Sequence, residues 1–136
     1  MTEFAAKAAM GRTIGGRALV ASDGFSARYD LDRLAGVFSR PEHKLFGRSY
    51  VGLVLILDRA KGGVATAWML HEMAARGMIP AALVFNTVNP IMVQGAALAD
   101  ATMMSGFDVD ITRAVADGAL VEVDTAATPP VLRVLP

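Results

Sequence analysis

The residues with the clearest chemical potential lie in one polar turn that contains Lys61, Gly62 and Gly63. The apolar run over residues 53–57 predicts a buried strand before this turn, and the amphipathic pattern over residues 64–76 predicts a helix after it. Such a turn presents backbone N–H groups and the positive end of a helix to an anion, and Lys61 adds a full charge. The turn therefore predicts a contact with a carboxylate or phosphate, although two glycines can also serve only to form a tight turn.

The same turn does not carry the signature of a nucleotide site. A Walker A loop has the order G-x-x-x-x-G-K-[ST], whereas here Lys61 precedes the glycines and the next hydroxyl belongs to Thr66. The dinucleotide fingerprint G-x-G-x-x-G is also absent from the sequence. We therefore expect a small anionic ligand and not a nucleotide.

Two asparagines, Asn86 and Asn89, follow an apolar run over residues 81–85 that predicts a second strand. In a parallel strand–helix–strand unit, the loops at the carboxyl ends of both strands lie at the same edge of the sheet. Lys61, Thr66 and the two asparagines could therefore converge on one ligand. The other interpretation of the asparagines is that they form turns and cap the following helix.

Two further polar residues could contribute to a site, namely Ser26 and His43. Ser26 lies in a stretch expected to be extended, and no aspartate or histidine close in sequence suggests a catalytic partner. An isolated serine is more often a simple hydrogen-bonding residue. His43 lies in a predicted loop and could exchange protons near neutral pH, although many loop histidines are structural or solvated.

The composition excludes several classes of function. The chain has 136 residues with 13 basic and 13 acidic side chains, so its formal net charge is zero, which argues against nucleic-acid binding. It contains no cysteine and only two histidines, so we expect no metal site on this chain alone. No apolar run is long enough for a membrane span, and the first residues do not resemble a secretory signal, so a cytoplasmic protein is expected. The high apolar content of 54% suggests that a partner or a second copy covers some of the surface.

The pattern of elements predicts a single α+β domain over residues 1–136. Its parts are a parallel strand–helix–strand unit and a closing antiparallel hairpin, and residues 1–11 are expected to be a frayed lead-in. Strands are predicted at residues 17–21, 50–57, 81–85, 119–124 and 131–135, and helices at residues 64–76 and 91–99.

Several short motifs, taken in order, resemble the small swivelling domain or subunit of the aconitase X family. The H-x-L-x-G segment at residues 43–47 leads into the apolar residues 52–55, and the turn at residues 57–63 precedes a helix. The glycine–x–x–proline–alanine–alanine segment at residues 77–84 begins the second strand. Gly95 and Ala99 fit the family's small-residue helix, and residues 117–124 resemble its closing hairpin.

This resemblance implies a swivelling β/β/α domain that closes over a larger, aconitase-like catalytic unit carrying an iron–sulfur cluster. The implied reaction is the elimination of water from a small hydroxy acid, and cis-3-hydroxy-L-proline and 5-phosphomevalonate are substrates associated with relatives. In relatives a serine in the turn can act as the base, whereas this sequence has Gly63 there. Thr66 or Lys61 has then taken over proton removal, or the chain catalyses a different reaction or has lost this role.

The resemblance thus predicts the small subunit of a two-chain hydro-lyase that dehydrates a small hydroxy acid similar to cis-3-hydroxy-L-proline. The isolated chain is expected to be inactive and to bind no cofactor. The catalytic residues are expected to be Thr66 and Lys61. The substrate-binding residues are expected to be Lys61, Gly62, Gly63, Asn86, Ser26 and His43. The alternatives are a stand-alone anion-binding or regulatory module and a self-associating structural domain without a site.

Overall fold

The computed structural model describes residues 2–61 and 63–136, and these form ten strands and three helices. Gly62, a predicted site residue, lies outside the described residues. None of the described helices is long and apolar enough to cross a membrane.

The strands are β1 Thr2–Met10, β2 Ile14–Val20, β3 Gly24–Phe25, β4 Leu31–Asp32, β5 Val37–Phe38, β6 Val54–Ala60, β7 Ala82–Thr87, β8 Thr102–Phe107, β9 Leu120–Asp124 and β10 Val131–Val134. The helices are α1 Val64–Ala75, α2 Pro90–Leu98 and α3 Ile111–Ala114.

Seven of the described strands close into a small barrel, because β2 pairs with both β9 and β6 at the two ends of the order β2-β9-β10-β1-β8-β7-β6. The pairings β2–β6, β6–β7 and β7–β8 are parallel, and the other pairings in this ring are antiparallel. The inward side chains, such as those of Val54, Ile56, Val84 and Met104, form one hydrophobic core. The mixed sheet with few helices confirms the predicted α+β class.

The strand–helix–strand unit predicted from the sequence is confirmed, and it continues through a second helix as β6–α1–β7–α2–β8. Both helices cover the outer face of these strands, where Leu55 and Leu57 belong to a second core. The sheet is covered on both faces, which explains why β6 begins as a continuous apolar run. The helices approach closely, since a β-carbon added to Gly95 would lie 2.6 Å from the Cα of Ala67.

The long segment between β3 and β6 packs against this second core through aromatic side chains. The ring of Phe38 stacks on His43 with 4.6 Å between centroids and meets the edge of Tyr50 at 6.0 Å. All three residues are buried. The segment is therefore fixed against the barrel, and it holds β3 beside the carboxyl end of β6.

The closing hairpin is also confirmed, since β9 and β10 pair antiparallel. The prediction that residues 1–11 form a frayed lead-in is wrong, because β1 lies between β10 and β8 and pairs with both. Both partner strands lie more than ninety positions away in the sequence, and the alanine-rich composition of β1 is a weak signal for a strand.

The predicted polar loop after the first strand of the parallel unit is shorter than expected. Residues 58–60 belong to β6, because β3 pairs with them in the register Gly24↔Arg59 and Phe25↔Ala60. This pairing extends the strand up to Lys61. The turn that was expected to form the site therefore begins at the very end of a paired strand.

Candidate functional site

The position of Lys61 is set by the pairing of β3 with β6. Its backbone N–H donates a hydrogen bond to the carbonyl oxygen of Phe25 at 2.7 Å, and Ser26 follows Phe25 directly. Lys61 and Ser26 thereby reach the same surface depression of about 350 Å³. The other residues that line it are Tyr29, Asp30 and Arg40.

A second depression of about 350 Å³ shares Ser26 and Tyr29 with the first. It extends to the start of α1, where Gly63 and Thr66 line it. We call the two depressions together the Ser26–Lys61–Thr66 pocket. The structure thus brings together four residues predicted for the site from separate parts of the sequence: Ser26, Lys61, Gly63 and Thr66.

The N-terminus of α1 faces this pocket without a side-chain cap. Gly63 is the N-cap residue, and no side chain accepts a hydrogen bond there. The first N–H groups of a helix have no partner inside the helix, and the helix dipole makes this end favourable for negative charge. Thr66 belongs to the first turn, is only 2% exposed and lines the pocket. This end of α1 is suited to an anionic group or to an oxygen that becomes negative.

An ion pair between the buried Asp30 and the partly exposed Arg40 also lies in the pocket lining. Asp30 is 4% exposed, accepts a hydrogen bond from the Ser26 N–H at 2.9 Å and one from the Arg40 Nε at 2.6 Å. The hydrogen bond with Asp30 raises the pKa of Arg40 above its usual value. Arg40 is thus neutralised by Asp30, whereas Lys61 and the exposed Arg28 contribute positive charge to the pocket.

His43 occupies a different position from the one expected of a substrate contact. It is 2% exposed, its Nδ1 accepts a hydrogen bond from the N–H of Leu45 at 3.0 Å, and its Nε2 lies 2.8 Å from the carbonyl oxygen of Gly24. An accepting Nδ1 requires the proton on Nε2, which therefore donates to Gly24. His43 fixes β3 from behind the pocket, and its contact with substrate stays a prediction.

Asn86 lies in β7 and joins three elements by hydrogen bonds. Its Nδ2 donates to carboxylate oxygens of Asp58 at 2.9 Å and Asp110 at 2.8 Å, and its Oδ1 accepts from the N–H of Ile111 at 2.9 Å. Hydrogen bonds from the Thr112 and Asn86 side chains hold the pKa of Asp110 below its usual range. Asn86 therefore anchors α3 against β6 and β7.

Asn89 caps α2, since its Oδ1 accepts a hydrogen bond from the N–H of Met92 at 2.8 Å. Among the described residues, the lining of the Ser26–Lys61–Thr66 pocket does not include Asn86, Asn89 or His43. The expected convergence of the asparagines with Lys61 is thus not found in the lining. The role of Asn86 in substrate binding stays a prediction.

Tyr29, Arg28 and Arg40 line the pocket and were not identified from the sequence. Arg28 lies over the ring of Tyr29, with 5.3 Å from its guanidinium carbon to the ring centroid. Arg28 and Tyr29 follow Ser26 closely, whereas Arg40 comes after β5, and these positions in the sequence do not show what the side chains face.

The described part of the chain does not fit an iron–sulfur cluster or another metal centre. The sequence has no cysteine. Within residues 2–61 and 63–136, no three His, Asp or Glu side chains are grouped so that they could hold a metal ion. The pocket chemistry available on the described part of this chain includes the Lys61 ammonium, the Arg28 guanidinium, the hydroxyls of Ser26, Tyr29 and Thr66, and a helix N-terminus.

Comparison with known proteins identifies similar sequences. The family model described as the aconitase X swivel domain matches residues 3–129. A phosphomevalonate dehydratase small subunit from Methanothrix thermoacetophila is 36% identical over 85 residues, which cover 62% of each chain and so less than two thirds of that relative. The protein of the same name from Methanopyrus kandleri is 32% identical over 104 residues, covering 76% of this chain and 77% of the relative.

Comparison with solved structures agrees in fold. The crystal structure of Thermococcus kodakaraensis aconitase X in its holo-form gives a TM-score of 0.90 at 21% identity, covering 100% of both chains. The solution NMR structure of a UPF0107 protein gives a TM-score of 0.86 at 24% identity, covering 99% of this chain and 100% of that one. At such identities the likeness demonstrates a shared fold and nothing further.

Proposed function

This chain belongs to the aconitase X swivel-domain family, and on that basis we propose that it is the small subunit of a phosphomevalonate dehydratase. The similar proteins from Methanothrix thermoacetophila and Methanopyrus kandleri carry this name. We propose first a class of enzyme, in which this chain is a subunit of an aconitase-like hydro-lyase. We also propose 5-phosphomevalonate as the substrate, in place of the hydroxyproline-like acid expected from the sequence.

The observation that carries the proposal is that Lys61 lines one depression, that Thr66 and the uncapped N-terminus of α1 line a second, and that the two depressions share Ser26. Phosphomevalonate carries a phosphate group and a carboxylate, and both are anions of the kind that a lysine and a helix N-terminus bind. The pocket lies at the surface, so a larger partner could cover it and enclose the substrate. Enclosure would strengthen each of these electrostatic contacts by excluding water.

We assign separate roles to the pocket residues. The Lys61 ammonium and the free N–H groups of α1 hold an anionic group of the substrate, and the Ser26 hydroxyl donates a hydrogen bond to it. The Thr66 oxygen, after its hydroxyl proton has passed to water, accepts the proton from the carbon next to the carboxylate. The helix N-terminus favours that negative oxygen, because Thr66 lies in the first turn of α1. Gly62 is part of the proposed turn and lies outside the described residues.

We propose that the large partner subunit promotes the departure of the substrate hydroxyl group. Since the described part of this chain offers no ligands for a cluster, any iron–sulfur cluster would be held by that partner. The proposed division of labour is therefore anion binding and proton removal on this chain, and hydroxyl departure on the other. Cytoplasmic location and self-association of the isolated chain stay predictions, which cell fractionation and size-exclusion chromatography would measure.

Coexpression with an aconitase-like large chain tests the proposal. We expect the two chains to copurify and the complex to dehydrate 5-phosphomevalonate, with cis-3-hydroxy-L-proline as the comparison substrate and each isolated chain as an inactive control. A stable complex that acts on hydroxyproline would overturn the substrate. Failure of the chains to associate would overturn the subunit role.

A thermal-shift assay of the isolated chain distinguishes a stand-alone anion-binding module from a dehydratase subunit. A binding module that works without a partner should show a higher unfolding temperature in inorganic phosphate than in chloride at equal ionic strength. Phosphate stabilisation combined with no association and no dehydratase activity would favour the anion-binding module over the subunit.

A further inference from the structure

The side chain of Lys61 lies directly across Gly24. A β-carbon added to Gly24 would lie 2.6 Å from the Cε of Lys61, 3.1 Å from its Nζ and 3.2 Å from its Cδ. Carbon atoms in contact are normally about 3.5–4.0 Å apart. The observed course of the lysine is therefore possible only because residue 24 has no side chain.

Gly24 is itself held firmly in place. Its N–H donates a hydrogen bond to the Oδ1 of Asp23 at 2.8 Å, and its carbonyl oxygen accepts one from the Nε2 of His43 at 2.8 Å. The Oδ2 of Asp23 in turn accepts from the N–H of Lys44 at 3.1 Å. Gly24 is buried and in register with Arg59 of β6. The surface beneath the lysine is thus a fixed part of the fold.

The backbone of Gly24 does not require glycine for conformational reasons, because its φ lies outside the left-handed region in which glycine is favoured. The close approach of Lys61 is the constraint that remains. Since the atoms in contact belong to the far end of a flexible and exposed side chain, a larger residue would displace the lysine before it disturbed the strand.

We propose that Gly24 is a positioning residue that sets the place of the Lys61 ammonium in the pocket, an inference that rests on the proposed role of Lys61 in binding the substrate anion. His43 and Asp23 support this role by fixing the two peptide groups of Gly24. A methyl group at residue 24 would move the Cε of Lys61 by about 1 Å, and a displacement of this size in a binding group can cost up to about a hundredfold in rate.

The test uses four variants of this chain in complex with the large subunit: Gly24→Ala, Lys61→Ala, the double variant and Gly16→Ala. Gly16→Ala is the matched control, because its added β-carbon would lie 3.6 Å from the nearest atom, a side-chain carbon of Val54. We expect Gly24→Ala to raise the KM for phosphomevalonate roughly tenfold or more, and Gly16→Ala to leave it unchanged. In the Lys61→Ala background, Gly24→Ala should cause no further rise.

The positioning role alone would be overturned if the two substitutions raised the KM independently of each other. It would also be overturned if Gly24→Ala left the KM unchanged while Lys61→Ala raised it. An unchanged KM in Lys61→Ala would instead overturn the proposed role of Lys61. Unfolding temperatures add a readout that does not need activity. If Gly24→Ala lowers the unfolding temperature, Lys61→Ala should restore it by removing the collision, and a loss that persists in the double variant would contradict the proposal.

Discussion

Lys61, Ser26 and Thr66 are separate in the sequence and line one candidate pocket in the structure. Ser26 and Lys61 meet because β3 pairs with β6, and Thr66 lines a depression with Ser26 because α1 starts at Val64. Each of the three is an ordinary residue in its local sequence. The pocket therefore owes its chemistry to the tertiary structure, and substitutions at these positions should change function more than stability.

Replacement of Thr66 by valine tests the proposed proton acceptor. Valine keeps the branched shape of the buried side chain and removes only the hydroxyl, so we expect the fold to persist. Because loss of an acid–base group typically costs about 10²–10⁴ in rate, kcat for dehydration should fall by at least about a hundredfold. The KM should change little, since Lys61 still holds the anion. Steady-state kinetics of the complex provide the measurement.

A Thr66→Ser variant serves as the control, because it retains a hydroxyl and should keep substantial activity. If Thr66→Val retained the kcat of the natural chain, Thr66 would not be the proton acceptor. Lys61 would then be the remaining candidate for that step.

The contact between α1 and α2 determines how the pocket helix lies on the sheet. A leucine at Gly95 would collide with the backbone of Ala67, from which even a β-carbon would be only 2.6 Å away. Overpacking of this kind typically costs about 1–3 kcal/mol or more, whereas the better helix propensity of leucine returns only about 1 kcal/mol. We therefore expect Gly95→Leu to lower the free energy of unfolding, measured by urea denaturation.

Ala97→Leu in the same helix is the matched control, since Ala97 is exposed. This change should alter the free energy of unfolding by less than about 0.5 kcal/mol. Equal effects of the two leucine substitutions would show that the close approach of the helices contributes nothing to stability.

The elements differ in how far the sequence could predict them. The parallel unit was predictable, because the apolar runs of β6 and β7 and the periodicity of α1 are local signals. The hairpin of β9 and β10 was equally clear from alternation. β1 was missed, because its alanine-rich sequence becomes a strand only through pairing with β10 and β8.

The same limit applies to the candidate site. The turn at Lys61 carried a local signal, namely glycines between a strand and a helix. The roles of His43 and Asn86 could not be decided locally, because a polar side chain in a loop or at a strand end can face a ligand or the interior. In the structure, His43 bonds to Gly24 and Asn86 bonds to Asp110, contacts between segments that are distant in sequence.

The molecule as a whole exposes large apolar side chains beside the pocket. Tyr29 is 68% exposed, and Val64 and Trp68 of α1 are each 62% exposed. Tyr29 and Val64 line the pocket itself. The formal net charge is zero, so little repulsion opposes association. These features agree with a chain that works against a larger partner.

Ion pairs between neighbouring strands of the barrel should make the stability of the barrel depend on pH. Arg133 in β10 bonds to Glu3 in β1 at 2.6 Å and to Glu122 and Asp124 in β9 at 2.8 and 2.6 Å. The hydrogen bond from Arg133 holds the pKa of Asp124 below its usual range. A pKa that is lower in the folded chain than in the unfolded chain adds stability above about pH 4, which is lost as the pH falls through the folded value.

We therefore expect the Asp124–Arg133 ion pair to raise the unfolding temperature from about pH 5 to 7. Below about pH 4 the unfolding temperature should fall. Arg133→Met removes the partner, so this variant should lose less stability between pH 6 and pH 3 than the natural chain does. Thermal unfolding followed by circular dichroism over this range provides the measurement. An equal loss in both chains would contradict the role assigned to Arg133.

The most direct test of a shared active site is the kcat/KM for phosphomevalonate dehydration by the complex assembled with Lys61→Ala. Lys7→Ala, which alters an exposed lysine of β1, is the control. A hydrogen bond to a charged group contributes about 1.5–3 kcal/mol, so we predict a loss of about tenfold or more with Lys61→Ala and none with Lys7→Ala. A Lys61→Ala complex that assembles normally and retains the full kcat/KM would contradict the proposal that this chain supplies the anion contact.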